Sequence, residues 1–145
     1  MIVYLDASAL VKRYVAEAGS PDVEKLIGGA RATGTGVVSR AEVVAALARA
    51  ARMGVVTRGA AAKALGAFTS DWEHLIRLQL SEPLAARAAS LAREHGLRGY
   101  DAVHLASALV WHEALGETIT LATYDRELWR GAQVSGLSAW PTTLS

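Results

Sequence analysis

The chain predicts a three-layer α/β/α sandwich, one domain over residues 1–145, built around a central and mainly parallel sheet. Three observations carry that expectation. Short β-forming runs alternate with helical stretches along the whole sequence, the pattern of successive βαβ units. The strand-like runs are apolar without strict alternation, as in strands covered on both faces. Glycines fall singly or in pairs between the periodic segments, with no linker and no repeat.

Taken in order, Ile2–Leu5 is rich in β-formers, is closed by Asp6, and reads as a buried first strand. Ser8 to Val15 reads as a helix with Leu10, Val11 and Tyr14 on one side. Ser20 and Pro21 make a helix start, cap then first position, and Gly28-Gly29 stops that helix after Val23, Leu26 and Ile27. Thr35–Val38 reads as the second strand. Ser39 can cap a helix from Arg40 to about Met53, whose Val43, Val44, Leu47, Ala50 and Ala51 form one stripe. Thr57 opens an Ala-rich helix, and Leu75–Leu80 supplies a third strand. Ser81-Glu82-Pro83 begins a helix through Leu84, Ala88, Leu91 and Ala92 that ends near His95-Gly96. Gly99-Tyr100 leads into a long helix from Asp101 to about Leu115, Thr118–Thr123 is the fourth strand, and Asp125–Arg130 is a short helix.

Composition narrows the chemistry. With 52% hydrophobic and 20% charged residues, the 145-residue chain can offset the entropy of ordering, so disorder is excluded. Cysteine is absent, which excludes a disulfide framework, a thiolate nucleophile and Cys-based zinc or iron–sulfur sites. No apolar run approaches the ~20 residues of a membrane helix. The opening Met1-Ile2-Val3-Tyr4-Leu5-Asp6 lacks the basic region and cleavage site of a signal peptide, so a cytoplasmic location is expected. A net charge of +1, from 15 Lys and Arg against 14 Asp and Glu, provides no tail that binds nucleic acid by charge alone. Most of the basic residues are Arg, the side chain suited to bidentate phosphate contacts, although solvated helix faces are its commoner use.

Ligands of open parallel sheets bind outside the carboxyl ends of the strands. Four acids are placed there. Asp6 follows the first strand, Glu42 lies in the first turn of the helix after the second, Asp101 opens the long helix, and Asp125 follows the fourth strand. Each alone has a structural explanation: Asp6 and Asp125 as helix caps, Glu42 and Asp101 as partners of helix dipoles. Together on one sheet edge they would repel unless a cation neutralises them. An all-oxygen donor set suits a hard ion such as Mg²⁺ or Mn²⁺, which can bind phosphate oxygens and orient a bound water toward a phosphodiester.

Four segments resemble the motifs of PIN-domain ribonucleases. Ile2-Val3-Tyr4-Leu5-Asp6-Ala7-Ser8-Ala9-Leu10-Val11-Lys12 resembles their opening strand and turn, and Ser39-Arg40-Ala41-Glu42-Val43-Val44-Ala45-Ala46-Leu47-Ala48-Arg49 their second acidic motif. Leu97-Arg98-Gly99-Tyr100-Asp101-Ala102-Val103-His104-Leu105-Ala106 resembles the third, and Thr120-Leu121-Ala122-Thr123-Tyr124-Asp125-Arg126-Glu127-Leu128 the fourth. The motifs stand in family order across nearly the whole chain, and the likeness is greatest to VapC toxins of type II toxin–antitoxin systems.

The resemblance implies a PIN-like fold and a Mg²⁺- or Mn²⁺-dependent endoribonuclease whose acidic cluster is Asp6, Glu42, Asp101 and Asp125. Asp6, Asp101 and Glu42 would hold the ion, and Asp125 would complete the cluster or hold a second ion. Ser8 and Thr123 match small hydroxyl positions that hold water or orient a carboxylate. It further implies an RNA substrate, a homodimer, and a VapB-like antitoxin whose C-terminal segment occupies a groove. The Ala-rich stretches 45–51 and 60–67 suit such a groove, but close helix packing within the domain is the favoured reading of them. The alternative function is a non-catalytic PIN-like module that binds RNA or protein. A haloacid-dehalogenase-type phosphoryl transferase is disfavoured, because position 8, where it needs a second Asp, is Ser.

Other residues admit two readings. Arg98, Arg40 and Arg126 could meet neighbouring phosphates or be solvated. His104 lies three positions after Asp101 on the same helix face, and packing beside the site rather than within it is the favoured reading. His74, His95 and His112 have no metal-ligand spacing. Trp72, Trp111, Trp129 and Trp140 could stack on bases, but filling the core is the commoner role of Trp.

Overall fold

Strand β1 (Ile2–Leu5) sits at the centre of the protein, and its side chains account for the layers. Successive strand residues point to opposite faces. Ile2 and Tyr4 accordingly enter one hydrophobic core, and Val3 and Leu5 enter the other. A strand covered twice needs apolar residues on both faces, which is why this run does not alternate. The computed structural model describes residues 1–145.

β1 pairs with β2 (Ala32–Gly36) and β4 (Ile119–Ala122), while β3 (Ile76–Leu78) and β5 (Ser138–Trp140) form the edges. The order is β3-β2-β1-β4-β5, and every pairing is parallel, so the sheet is wholly rather than mainly parallel. The chain first winds β1 to β2 to β3. Its helices α1 (Ala7–Leu10), α2 (Ser20–Gly29), α3 (Ser39–Arg52) and α4 (Arg58–Trp72) cover the Val3/Leu5 face. It then returns over the Ile2/Tyr4 face with α5 (Glu82–His95) and α6 (Gly99–Leu115), reaches β4, and passes through α7 (Arg126–Val134) to β5. The winding reverses between β1 and β4. At such a switch point the connections leave in opposite directions and open a crevice at the strand ends.

Helix α6 explains why the second core is dense. Ala102, Leu105, Ala106, Ala108, Leu109 and Trp111 are all buried, so it is apolar around most of its circumference, as a helix between a sheet and another helix must be. Burial of a side chain such as Leu105 contributes about 1.5–3 kcal/mol, and the alanines let backbones approach.

Several local expectations are corrected. The first helix is a single α turn followed by a 3₁₀ turn over Val11–Arg13. Strand β2 starts and ends earlier than Thr35–Val38; Val37 and Val38 form the turn into α3. The Ala-Thr-Gly-Thr-Gly of β2 carries no apolar signal because its neighbours leave no room for one. A Cβ at Gly34 would lie 2.8 Å from the Trp111 ring, and one at Gly36 would lie 2.7 Å from the Tyr4 hydroxyl. Ser39 does not cap α3; it is buried and its hydroxyl bonds Thr35 Oγ1 at 2.7 Å. Ser20 is the first residue of α2, with Gly19 as the cap residue at φ 91°, and its hydroxyl serves Val15 O and Glu17 N instead. Thr57 and Ser81 do cap α4 and α5, accepting from Ala60 N and Leu84 N, each worth about 1 kcal/mol. The last helix runs on to Val134, and β5 follows it without any apolar run to announce it.

Candidate active site

At the end of β1, Asp6 caps α1. Its Oδ1 accepts the Ala9 N–H at 3.0 Å and the Ser8 hydroxyl at 2.7 Å, and its Oδ2 accepts the Thr123 hydroxyl at 2.6 Å. Ser8 Oγ in turn accepts the Tyr124 N–H at 2.9 Å, and Thr123 Oγ1 accepts the Asp125 N–H at 3.0 Å. Each hydroxyl thus gives its one proton to Asp6 and receives a backbone amide from the loop after β4. Two hydroxyls bind the ends of β1 and β4 together across the switch point.

Asp125 caps α7, with Oδ1 accepting the Leu128 N–H at 3.0 Å. Its Oδ2 accepts Arg98 Nη2 at 2.8 Å, and Asp101 Oδ2, in the first turn of α6, accepts Arg98 Nε at 3.1 Å. Glu42, in the first turn of α3, meets His104 Nε2 through Oε1 at 2.8 Å. Capping and clustering are therefore not alternatives: Asp6 and Asp125 do both.

The charges perturb one another as a group. Burial pushes the Asp6 carboxyl above its ordinary range, against the pull of His104 and the hydrogen bonds from Thr123, Ser8 and Ala9. Burial also raises Asp101, helped by the charge of Asp125 and, more weakly, of Asp6, and opposed by Arg98. Burial works against charging His104, but the hydrogen bond to Glu42 and the charges of Asp6, Glu42 and Asp101 outweigh it and hold the imidazole above its usual value. Asp6, Glu42, Asp101 and Asp125 thus share one field at the carboxyl edge of the sheet, with Arg98 and His104 as the counter-charges beside them.

No three of the carboxylates and imidazoles stand close enough together, as they lie, to hold an ion between them. The donor set nonetheless fits a hard cation: it consists of carboxylate and hydroxyl oxygens, and Glu42 Oε2 and Asp101 Oδ1 accept no hydrogen bond within the chain.

The structure revises some readings. His104 is in the site's framework rather than beside it, since it touches Glu42 directly and is 1% exposed. Its spacing from Asp101 was the signal; its partner on another helix was not visible. Tyr4, whose hydroxyl bonds His104 Nδ1 at 2.7 Å, had no sequence signal at all. Arg98 engages two of the acids instead of facing outward alone. Arg40 lies over the Trp72 ring at 6.0 Å, and Trp72 and Trp111 are core residues. The Trp129 indole donates to Pro141 O, and Trp140 packs edge-on against Tyr124.

A doubly wound parallel sheet with an acidic crevice at its switch point defines a class of α/β proteins suited to phosphate chemistry with a hard cation. Comparison narrows that class. The chain belongs to the PIN-domain family, whose model matches residues 3–133. It is 39% identical over 144 residues to ribonuclease VapC45 of Mycobacterium tuberculosis, covering 99% of this chain and 97% of that protein. Its fold is similar to that of a chain in a toxin–antitoxin complex from Klebsiella pneumoniae, with TM-score 0.69, 14% identity and 99% of both chains covered. It is also similar to Mycobacterium tuberculosis VapC20, described as a sarcin–ricin-loop-cleaving toxin, with TM-score 0.68, 14% identity and 99% of both chains covered.

Proposed function

We propose that this protein is an endoribonuclease that hydrolyses RNA phosphodiester bonds as the toxin of a toxin–antitoxin pair. The observation that carries the proposal is the gathering of Asp6, Glu42, Asp101 and Asp125 at the β1/β4 crevice of a PIN-domain chain. Asp6, Glu42 and Asp101 would hold a Mg²⁺ or Mn²⁺ ion, with Asp125 completing the set. The bound ion supplies Lewis acidity toward the phosphate oxygens and acidifies water. The chain's own contribution is to place and orient the carboxylates. Ser8 and Thr123 fix both oxygens of Asp6, and the α7 cap fixes Asp125. The field of the four acids would attract such an ion, and Arg98 is already in contact with two of them, Asp101 and Asp125.

The partner reading rests on the groove beside α4, where Tyr14, Val55, Val56, Ala60 and Ala64 make an apolar floor with Arg13 and Lys63 at its margins. An antitoxin segment with apolar and acidic residues fits that chemistry, and a homodimer is part of the same reading. No helix is long and apolar enough to cross a membrane.

One observation favours the non-catalytic alternative: Arg98 can satisfy Asp101 and Asp125 without any ion. The two readings separate on purified protein. Cleavage of single-stranded and hairpin RNA in Mn²⁺ or Mg²⁺, stopped by EDTA and by the co-expressed antitoxin, is the expected result. RNA binding without cleavage at any ion concentration would overturn it. Arg98→Ala checks the electrostatics directly. Because Arg98 occupies oxygens an ion needs, the variant should bind Mn²⁺ several-fold more tightly by calorimetry; unchanged or weaker binding would show that Arg98 does not compete.

A further inference from the structure

We propose that His104 is a positioning residue: its Nε2–H fixes the Glu42 carboxylate, and the Tyr4 hydroxyl in turn fixes the His104 ring. The inference rests on the reading of Glu42 as one of the site acids.

Glu42 differs from the other three acids in how it is held. Asp6 receives three hydrogen bonds and Asp125 receives a cap and an arginine. Glu42 has a longer side chain, which is 28% exposed, and its one partner is His104. A glutamate on a helix surface samples many rotamers unless something holds it. His104, by contrast, is held fast: it projects from α6, is 1% exposed, and has a partner on each ring nitrogen, Tyr4 of β1 and Glu42 of α3.

The direction of the bonds follows from the partners. An ionised Glu42 can only accept, so Nε2 carries the hydrogen. With Nε2 protonated, a neutral ring leaves Nδ1 as acceptor for the Tyr4 O–H; a charged ring donates from both nitrogens. In either state Nε2 donates to Glu42. Tyr4 keeps its proton, because burial raises its hydroxyl far above the usual tyrosine value. The relay therefore runs from β1 through α6 to α3 and ends on an acid, leaving Glu42 Oε2 unbonded. Gly36 keeps it open: a Cβ there would stand 2.7 Å from the Tyr4 oxygen and 3.7 Å from His104 Nδ1. A buried position flanked by Val103 and Leu105 would be filled most simply by an aliphatic side chain. A histidine bonded at both nitrogens has a task there.

Two substitutions separate the two nitrogens. Gln places its amide nitrogen where Nε2 stood, and Asn places its amide where Nδ1 stood, while both remove the ring and put a neutral amide in the same buried place. His104→Asn should lower kcat and Mn²⁺ affinity by about tenfold or more, as loss of an outer partner of a metal-site ligand does. His104→Gln should restore most of both. In a Glu42→Gln background, His104→Asn should add nothing further. A histidine ¹⁵N spectrum of the unmodified protein should show a protonated Nε2 whose shift changes in Glu42→Gln, a readout that needs no His104 variant to fold. The inference is overturned by equal losses in both His104 variants, by losses that multiply with Glu42→Gln, or by an unprotonated Nε2. If Glu42→Gln is itself fully active, the assignment of Glu42 to the site fails first. If it is inactive while His104→Asn is fully active, only the positioning role fails.

Discussion

Asp101→Asn is expected to slow RNA cleavage by at least about a hundredfold while leaving the melting temperature in EDTA unchanged or higher. Asp101 is buried, and burial together with Asp125 raises its carboxyl above the ordinary range. A carboxyl raised in the folded state stabilises the fold when protonated. That contribution is full below its unfolded value of about 3.9 and is lost as pH rises through the folded value. At neutral pH the ionised group therefore costs stability, and Asn removes the cost while keeping the shape. The ion pair with Arg98 that Asn gives up is worth little, because Arg98 is 77% exposed and water screens it. Asp101 makes no cap bond that Asn would have to replace, since α6 starts at Gly99 and its N-cap residue, Arg98, makes no side-chain cap bond.

Adding Mn²⁺ reverses the order. At a hundred times its Kd an ion stabilises the folded chain by about 2.7 kcal/mol, and the variant should gain less. Full cleavage by Asp101→Asn, or a melting temperature several degrees lower in EDTA, would show the residue to be structural. Asp6→Asn is a less clean test of the same idea, because an amide must replace an oxygen that now accepts the Thr123 hydroxyl.

Gly34→Ala is expected to lower the melting temperature by roughly 5–10 °C, the consequence of about 2–3 kcal/mol of overpacking. Gly34 lies in β2 opposite Tyr4 on one side and Ile76 on the other. The added carbon would meet two atoms of the Trp111 ring at 2.8 Å and the Ile76 carbonyl oxygen at 3.1 Å. Neither can yield cheaply: the indole is 6% exposed within the core, and the carbonyl belongs to a paired strand. Gly66→Ala supplies the control of opposite sign. Gly66 lies inside α4 with open space where its Cβ would go, so alanine should stabilise by about 0.5–1 kcal/mol through helix propensity alone. Thermal denaturation of the pair checks both. A Gly34→Ala protein as stable as its parent would mean that Trp111 is not pinned.

The layers and most elements were legible because they rest on local chemistry. β1 is apolar on both faces, Thr57 and Ser81 cap the helices they precede, and α3 and α5 carry apolar stripes. The candidate acids were legible for the same reason: Asp6 and Asp125 end strands and begin helices, a placement that follows from chain order alone. β2 was misplaced and β5 unseen because their strand character comes from what lies beside them. Gly34 and Gly36 look like loop residues until Trp111 and Tyr4 are set against them, and Ser138–Trp140 is a strand only because β4 offers it a ladder.

By itself, then, the sequence determined a doubly covered parallel sheet and the four acids that its strand ends and helix starts would carry. The tertiary structure decided what each acid touches. Residues 6 and 123 are joined by a hydrogen bond, residues 98 and 125 by a salt bridge, and residues 4, 104 and 42 by a buried relay, all between elements distant in the chain. Periodicity and capping act over a few residues and leave a trace in local order. A hydrogen bond between two side chains depends on where the sheet brings two helices, and no local pattern records that.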